Sequence, residues 1–195
     1  MAQRGSGVAM RLRLLTATVA ALAAFCALAV VGIAQRSSHP RALKVTLRDA
    51  GHKVVGTVRM TAVSPTGAVT VRAAVRGLKP GYHGFHVHAV GACEGPAFKS
   101  AMGHLKQGSQ VHGGHDGDLP SLLVKRNGTA TLQATSDRFT LDDLRDRDGS
   151  AVMVHAGPDD FANIPPRYAP NGPDQETLDT GDSGDRVACG RIAPG

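Results

Sequence analysis

From Leu43 onward, apolar and polar residues alternate with a period of two. Leu43–Arg48, His52–Val63 and Ala68–Val75 each alternate and are rich in β-branched residues, as strands with one buried face require. Breaks fall at Asp49-Ala-Gly51, Ser64-Pro-Thr-Gly67 and Gly77-Leu-Lys-Pro-Gly81, which hold the residues that turns use. Further strands are predicted over Gly84–Val90, Leu122–Lys125, Thr129–Ala134, Ala151–His155 and Arg186–Ile192, with Asn127-Gly128 as a hairpin turn. Only Leu141–Arg147 predicts a brief helical turn, with Asp142 and Asp143 near its start. Many short strands at near-regular spacing predict an all-β sandwich or barrel.

The N-terminal stretch has another pattern. Arg4, Arg11 and Arg13 precede Leu14–Ala34, which carries no charge. Basic residues before an apolar run direct translocation of the downstream chain, so 1–34 reads as a signal peptide or a transmembrane anchor. Cleavage after Ala29 or Ala34 fits the small residues there, and the run also has the length to span a bilayer. Cys26 raises lipidation, against which stands the bulky Phe25 before it. In each case the domain works outside the cytoplasm, secreted or tethered to the outer face of the cytoplasmic membrane. Residues 35–43, with His39 and Pro40, read as a polar linker, and residues 44–195 as the folded domain.

Composition changes this picture little. An apolar content of 42% in 195 residues supplies one core. The net charge of +6 suggests a polyanion partner until its location is considered. Residues 1–41 hold five arginines and no acid, which leaves 17 bases against all 16 acids in the remainder. The sequence therefore implies no nucleic-acid partner.

The chemistry is concentrated between His86 and Asp118. On a strand, His86 and His88 of Phe85-His-Val-His88 point the same way, about 7 Å apart, close enough for two imidazoles to meet one ion. His112-Gly-Gly-His115-Asp-Gly-Asp118 is too glycine-rich for a helix and reads as a loop folded round a cation such as zinc. His104 lies between the two groups, and His155 stands alone further on. A single His-x-His is a weak sign and a Gly/His loop can be a plain surface turn. The two in succession favour a metal site.

Gly84-Phe-His-Val-His88, Gly103-His104, His112-Gly-Gly-His115-x-Gly-Asp-Leu119, Val154-His155-x-x-Pro-Asp-Asp160 and Gly184-Asp-Arg186-Val-Ala-Cys-Gly190 resemble, in order, the copper/zinc superoxide dismutases of the exported bacterial type. The resemblance implies an eight-stranded antiparallel Greek-key barrel. It implies copper on His86, His88, His104 and His155, and zinc on His104, His112, His115 and Asp118, with His104 shared. Asp116 is the rival to Asp118, and the motif spacing selects Asp118. Asp159 matches the family aspartate that joins one copper and one zinc histidine, here His86 and His112. Cys93 and Cys189 match the family disulfide, which agrees with an even cysteine pair in an exported domain. Arg186 matches the arginine that attracts the anionic substrate, and Thr180 the threonine at the channel rim. His83 reads as hydrogen-bonded packing, and His52 as a solvated strand histidine. Met102 and Leu105 stand near His104 where the family more often has a glycine and an aromatic.

The implied activity is conversion of superoxide to oxygen and hydrogen peroxide, with Arg186 and His104 as the catalytic side chains and a monomer or homodimer as the working form. The alternative is an extracytoplasmic copper- or zinc-binding carrier without turnover. A carrier needs the ligands but not Arg186 or a proton relay.

Overall fold

The structure is a computed structural model and describes residues 41–195. The segments read as leader or anchor (1–34) and most of the linker, with Cys26 and His39, lie outside the described residues. Strand β1 (Ala42–Arg48) begins two residues before the predicted domain start. Its pairing with β2 (Val54–Ala62) runs to the end, Ala42 facing Thr61, because an unpaired backbone there would forgo a ladder the partner already offers.

Antiparallel pairing continues through β3 (Val69–Arg76), β7 (Thr129–Ser136), β8 (Ser150–His155) and β9 (Arg186–Ile192). Two shorter strands, β4 (Gly81–His83) and β5 (Phe85–His88), are one run of chain interrupted at Gly84. The sheet order is β5-β8-β9-β1-β2-β3-β7, while β4 pairs with β6 (Leu122–Val124). A tight turn at Gly128 leads from β6 into β7, with Lys125 N–H donating to the Thr129 carbonyl at 2.8 Å. The run 81–88 therefore meets both ends of the sheet, and eight strand passages curl into a barrel, as the sequence predicts.

Alternation builds the core. Val45 and Leu47 of β1, Val58 and Met60 of β2, and Val69, Val71 and Val75 of β3 turn inward and are buried. Each such side chain contributes roughly 1.5–3 kcal/mol of burial free energy. Strand β8 is buried on both faces. Val152 and Val154 enter the barrel, while Ala151 and Met153 pack outward beneath Phe98, Ala101 and Cys189. A loop from Cys93 to Met102 thus lies against the outside of the barrel. Cys93 and Cys189 are joined in a disulfide, with Cα atoms 5.7 Å apart.

Three local expectations are corrected. His52 is not in a strand; it lies in the turn before β2 at φ 64°, where the Asp49 carboxylate accepts from Gly51 and Lys53 N–H. The helical turn within 141–147 shrinks to one 3-10 turn at Asp143–Arg145. The α-helix of the described residues is α1, Gln175–Thr180, which the pattern of apolar residues did not predict. Its signals are caps: the Asp174 carboxylate accepts from Thr177 N–H, and Gly181 follows in the left-handed conformation.

Candidate metal centre

Strand β5 carries the centre because both of its faces are covered. Phe85 and Val87 fill the barrel, so parity sends His86 and His88 to the outside. The outer edge of β5 is closed by the loop that carries the other ligands. Val87 N–H donates to the Gly117 carbonyl, Leu105 N–H to the Val87 carbonyl and Gly117 N–H to the Leu105 carbonyl, each at 2.8 Å. A Cβ on Gly117 would sit 2.2 Å from the Val87 oxygen, so only glycine permits this approach. The three bonds bring His104 beside His88 and Asp118 beside His86.

His86, His88, His104 and His155 converge, each offering one ring nitrogen within 4.8 Å of the others. His86, His104, His112 and Asp118 form a second group on the same criterion, so His104 belongs to both. His115 joins the second group: its Nδ1 lies 3.3 Å from His104 Nδ1 and 3.5 Å from Asp118 Oδ1. The same carboxylate oxygen is 3.1 Å from His104 Nδ1 and 3.3 Å from His112 Nδ1. Four donors around one ion at 2.0–2.1 Å stand about 3.3 Å apart at the edges of a tetrahedron, and these spacings match. On the other side, His88 Nε2 and His155 Nε2 are 3.4 Å apart.

Outer partners orient the rings. His88 Nδ1 donates to the Met102 carbonyl at 2.8 Å, His155 Nδ1 to that of Gly184 at 2.9 Å, and His115 Nε2 to that of Gln110 at 3.1 Å. His86 Nε2 and His112 Nε2 each lie against one oxygen of Asp159, at 2.6 and 2.7 Å. Each bond engages one nitrogen and aims the other into the centre. The aimed nitrogens of His86 and His112 are buried with no hydrogen-bond partner. An orphaned buried nitrogen is costly, and a metal ion in the centre satisfies it. Among the described histidines of the centre, only His104 has no partner outside it.

The electrostatics suit cations. Burial lowers His86 to about 4 despite Asp159, and His155 to about 3 with His86 adding to the effect. It also holds His88 well below its ordinary value and lowers His115. These rings stay neutral, as ligands must. Burial opposes protonation of His112 too, but the carboxylates of Asp118 and Asp159 outweigh it and push its pKa up to about 9. Burial alone would raise both carboxyls, yet the histidines beside them hold Asp118 and Asp159 well below the usual range.

The structure separates the rivals. Asp118 Oδ2 accepts from Gly113 N–H at 2.8 Å and His115 N–H at 3.0 Å, which leaves Oδ1 facing the centre. Asp116 Oδ1 instead accepts from the Gln110 amide. His83 is buried with its ring nitrogens 2.6 and 2.8 Å from the carbonyls of His155 and Lys79, away from the converging group. Gly181 is required where α1 ends: at φ 61°, a Cβ would lie 2.2 Å from His112 Nε2 and 2.3 Å from Asp159 Oδ1.

A cleft of about 1160 Å³ opens onto the centre, lined by His104, His155, Thr180, Lys106 and Arg186 among others. The Arg186 guanidinium is half-buried and donates to the Phe98 carbonyl at 2.7 Å and the Met102 carbonyl at 2.6 Å. Both acceptors belong to the disulfide-tied loop. Thr180 ends α1, its hydroxyl donating to the Glu176 carbonyl. Sequence reasoning missed α1 with Glu176 and Asp179, which line the cleft; the capping pair Asp174 and Gly181 was the available signal. It also missed the carbonyls of Met102, Gln110 and Gly184, which carry no side-chain signal.

A buried centre of six histidines and a carboxylate, sharing one imidazole on the outside of a Greek-key barrel, defines a two-metal protein. The profile of the family described as copper/zinc superoxide dismutase matches residues 54–192, and the chain belongs to that family. Its cofactors are accordingly copper and zinc, which the donor sets fit. The chain is 46% identical over 147 residues to superoxide dismutase [Cu-Zn] of Mycobacterium tuberculosis, covering 66% of this chain and 61% of that protein. It is 40% identical over 157 residues to the protein of that name from Mycolicibacterium paratuberculosis, covering 72% and 69%. The match to the first of these therefore spans about three-fifths of the relative's length. Among solved structures, the Cu/Zn superoxide dismutase from Brucella abortus matches with a TM-score of 0.61 at 29% identity, over 77% of this chain and 99% of that one. A SOD-like protein from Bacillus subtilis matches with a TM-score of 0.63 at 26% identity, over 76% and 97%.

Proposed function

We propose that the chain is a superoxide dismutase, in which two superoxide ions and two protons give one oxygen and one hydrogen peroxide. His86, His88, His104 and His155 hold copper; His104, His112, His115 and Asp118 hold zinc. Bound there, copper supplies a one-electron couple and zinc a fixed positive charge without redox chemistry. Asp159 locks His86 and His112 in one tautomer each, and so couples the two halves of the centre. Arg186 draws the anion into the cleft and holds it beside His104 and His155. His104 has no outer partner for either nitrogen, so its Nε2 is free to take a proton and pass it to the departing peroxide.

The observation that carries this reading is Arg186, fixed by two carbonyls at the cleft that reaches the four-histidine group. A metal carrier has no use for a positioned guanidinium. The test is Arg186→Ile. Turnover of superoxide should fall substantially and lose part of its salt dependence, while copper and zinc contents stay unchanged. Full turnover in a fully metallated variant refutes the role of Arg186 and favours the carrier. We further propose that the domain works outside the cytoplasm, delivered by residues 1–34; the mass of the mature chain distinguishes cleavage from retention.

A further inference from the structure

The domain's charge is close to balanced, but it is not evenly spread. Lys44 faces Arg59 across β1 and β2, and Arg59 faces Arg72 across β2 and β3. All three side chains are exposed on the outer face of the barrel. Arg48 lies four residues along β1 from Lys44, Arg76 four along β3 from Arg72, and Arg191 stands on β9, all exposed. The remaining outward positions of these strands are chiefly threonines, and none is acidic. Among the described residues none of these six cations has a carboxylate within ion-pair distance; Arg72 finds only the Gln133 amide, at 2.9 Å.

Like charges directly opposite on a sheet are destabilising, so this row does nothing for the fold. Its use is external. The patch carries no aromatic side chain, which a single-stranded nucleic acid would need for stacking. Strand spacing places the three opposed cations within about 10 Å, one Debye length at 0.1 M salt. The chain enters β1 at Ala42, two residues before Lys44. The uncharged run that ends at Ala34 is separated from Ala42 by a segment whose extended reach is about 25 Å.

We infer that this face of the barrel docks on a bilayer surface of anionic lipid. The inference rests on the reading of residues 1–34 as a membrane-directing segment and is independent of the dismutase activity. Phosphate headgroups supply the missing counter-charges, and the cleft at Arg186, lined from other elements, stays open to solvent.

The test uses the full chain with vesicles of phosphatidylcholine alone or with one-third phosphatidylglycerol, and lysine acylation read by mass spectrometry. Lys44 should label roughly fivefold more slowly on the anionic vesicles, as expected when several cations sit at a charged surface, with Lys99 at the cleft as the unchanged control. One molar salt should remove the difference. Arg59→Gln with Arg72→Gln should weaken it, since these exposed side chains make no contact the fold needs. Equal labelling of Lys44 on both vesicle types overturns the inference. Protection by inorganic polyphosphate in solution as strong as by vesicles also overturns it, in favour of a soluble polyanion. Failure of the full chain to sediment with neutral vesicles would count against the membrane-directing segment separately, because that readout does not involve the cationic face.

Discussion

Met102 has φ 61° and ψ −153°, a conformation that is essentially glycine's alone and costs other residues about 1–3 kcal/mol. The strain has a clear use: the Met102 carbonyl accepts from both His88 Nδ1 and Arg186 Nη2. One backbone oxygen thus orients a metal-site histidine and the cleft arginine. The side chain contributes little, being 59% exposed. Met102→Gly should relieve the strain while adding about 0.5–1 kcal/mol of backbone freedom to the unfolded chain. The net expectation is a gain of about 0.5–2 kcal/mol. For a domain of this size that raises the midpoint of thermal unfolding by about 2–6 °C. Equilibrium urea unfolding of the metal-free, disulfide-intact chain measures it, with a higher midpoint at unchanged slope. Met102→Ala keeps the strain and should leave stability near wild type. A glycine variant no more stable than the alanine variant refutes the argument.

Replacing His112 or His115 by Gln should lower zinc content while copper is largely retained, and elemental analysis checks the division of ligands; equal loss of both metals contradicts it. Replacing Cys93 and Cys189 by Ser should lower stability by roughly 2–5 kcal/mol, because the bridge closes a loop of nearly a hundred residues. Turnover should fall as well, since Phe98 and Met102 hold Arg186 from that loop. The metal-free chain should be most stable near pH 6.5. Below that value the unfolded histidines take up protons that His86, at about 4, and His155, at about 3, refuse in the fold, so stability falls as pH drops. Above it His112, held protonated to about 9, makes the folded state the greater proton binder, so stability falls as pH rises. Urea midpoints from pH 4 to 9 test both arms, and a monotonic rise would contradict the second. Metal loading should abolish the alkaline arm by displacing that proton.

Much of this protein is present in its local sequence. Alternation from Leu43 to Val75 depends only on which side chains leave water, so the strands and their inward faces follow from it. The spacing of His86 and His88 gives a shared face by strand parity alone. Other features depend on contacts between residues far apart in sequence, and local pattern is silent on them. Gly84 breaks the predicted strand because β4 must pair with β6 while β5 pairs with β8. Helix α1 is too short and too polar to show a periodic face; it exists because caps close both ends beside His112 and Asp159. Met102 appears in the sequence as an unusual residue near His104, and only the fold shows its carbonyl held between His88 and Arg186. The cationic row has the same origin. Lys44, Arg59 and Arg72 are scattered over three strands within a chain whose charges nearly cancel, and antiparallel register alone sets them side by side.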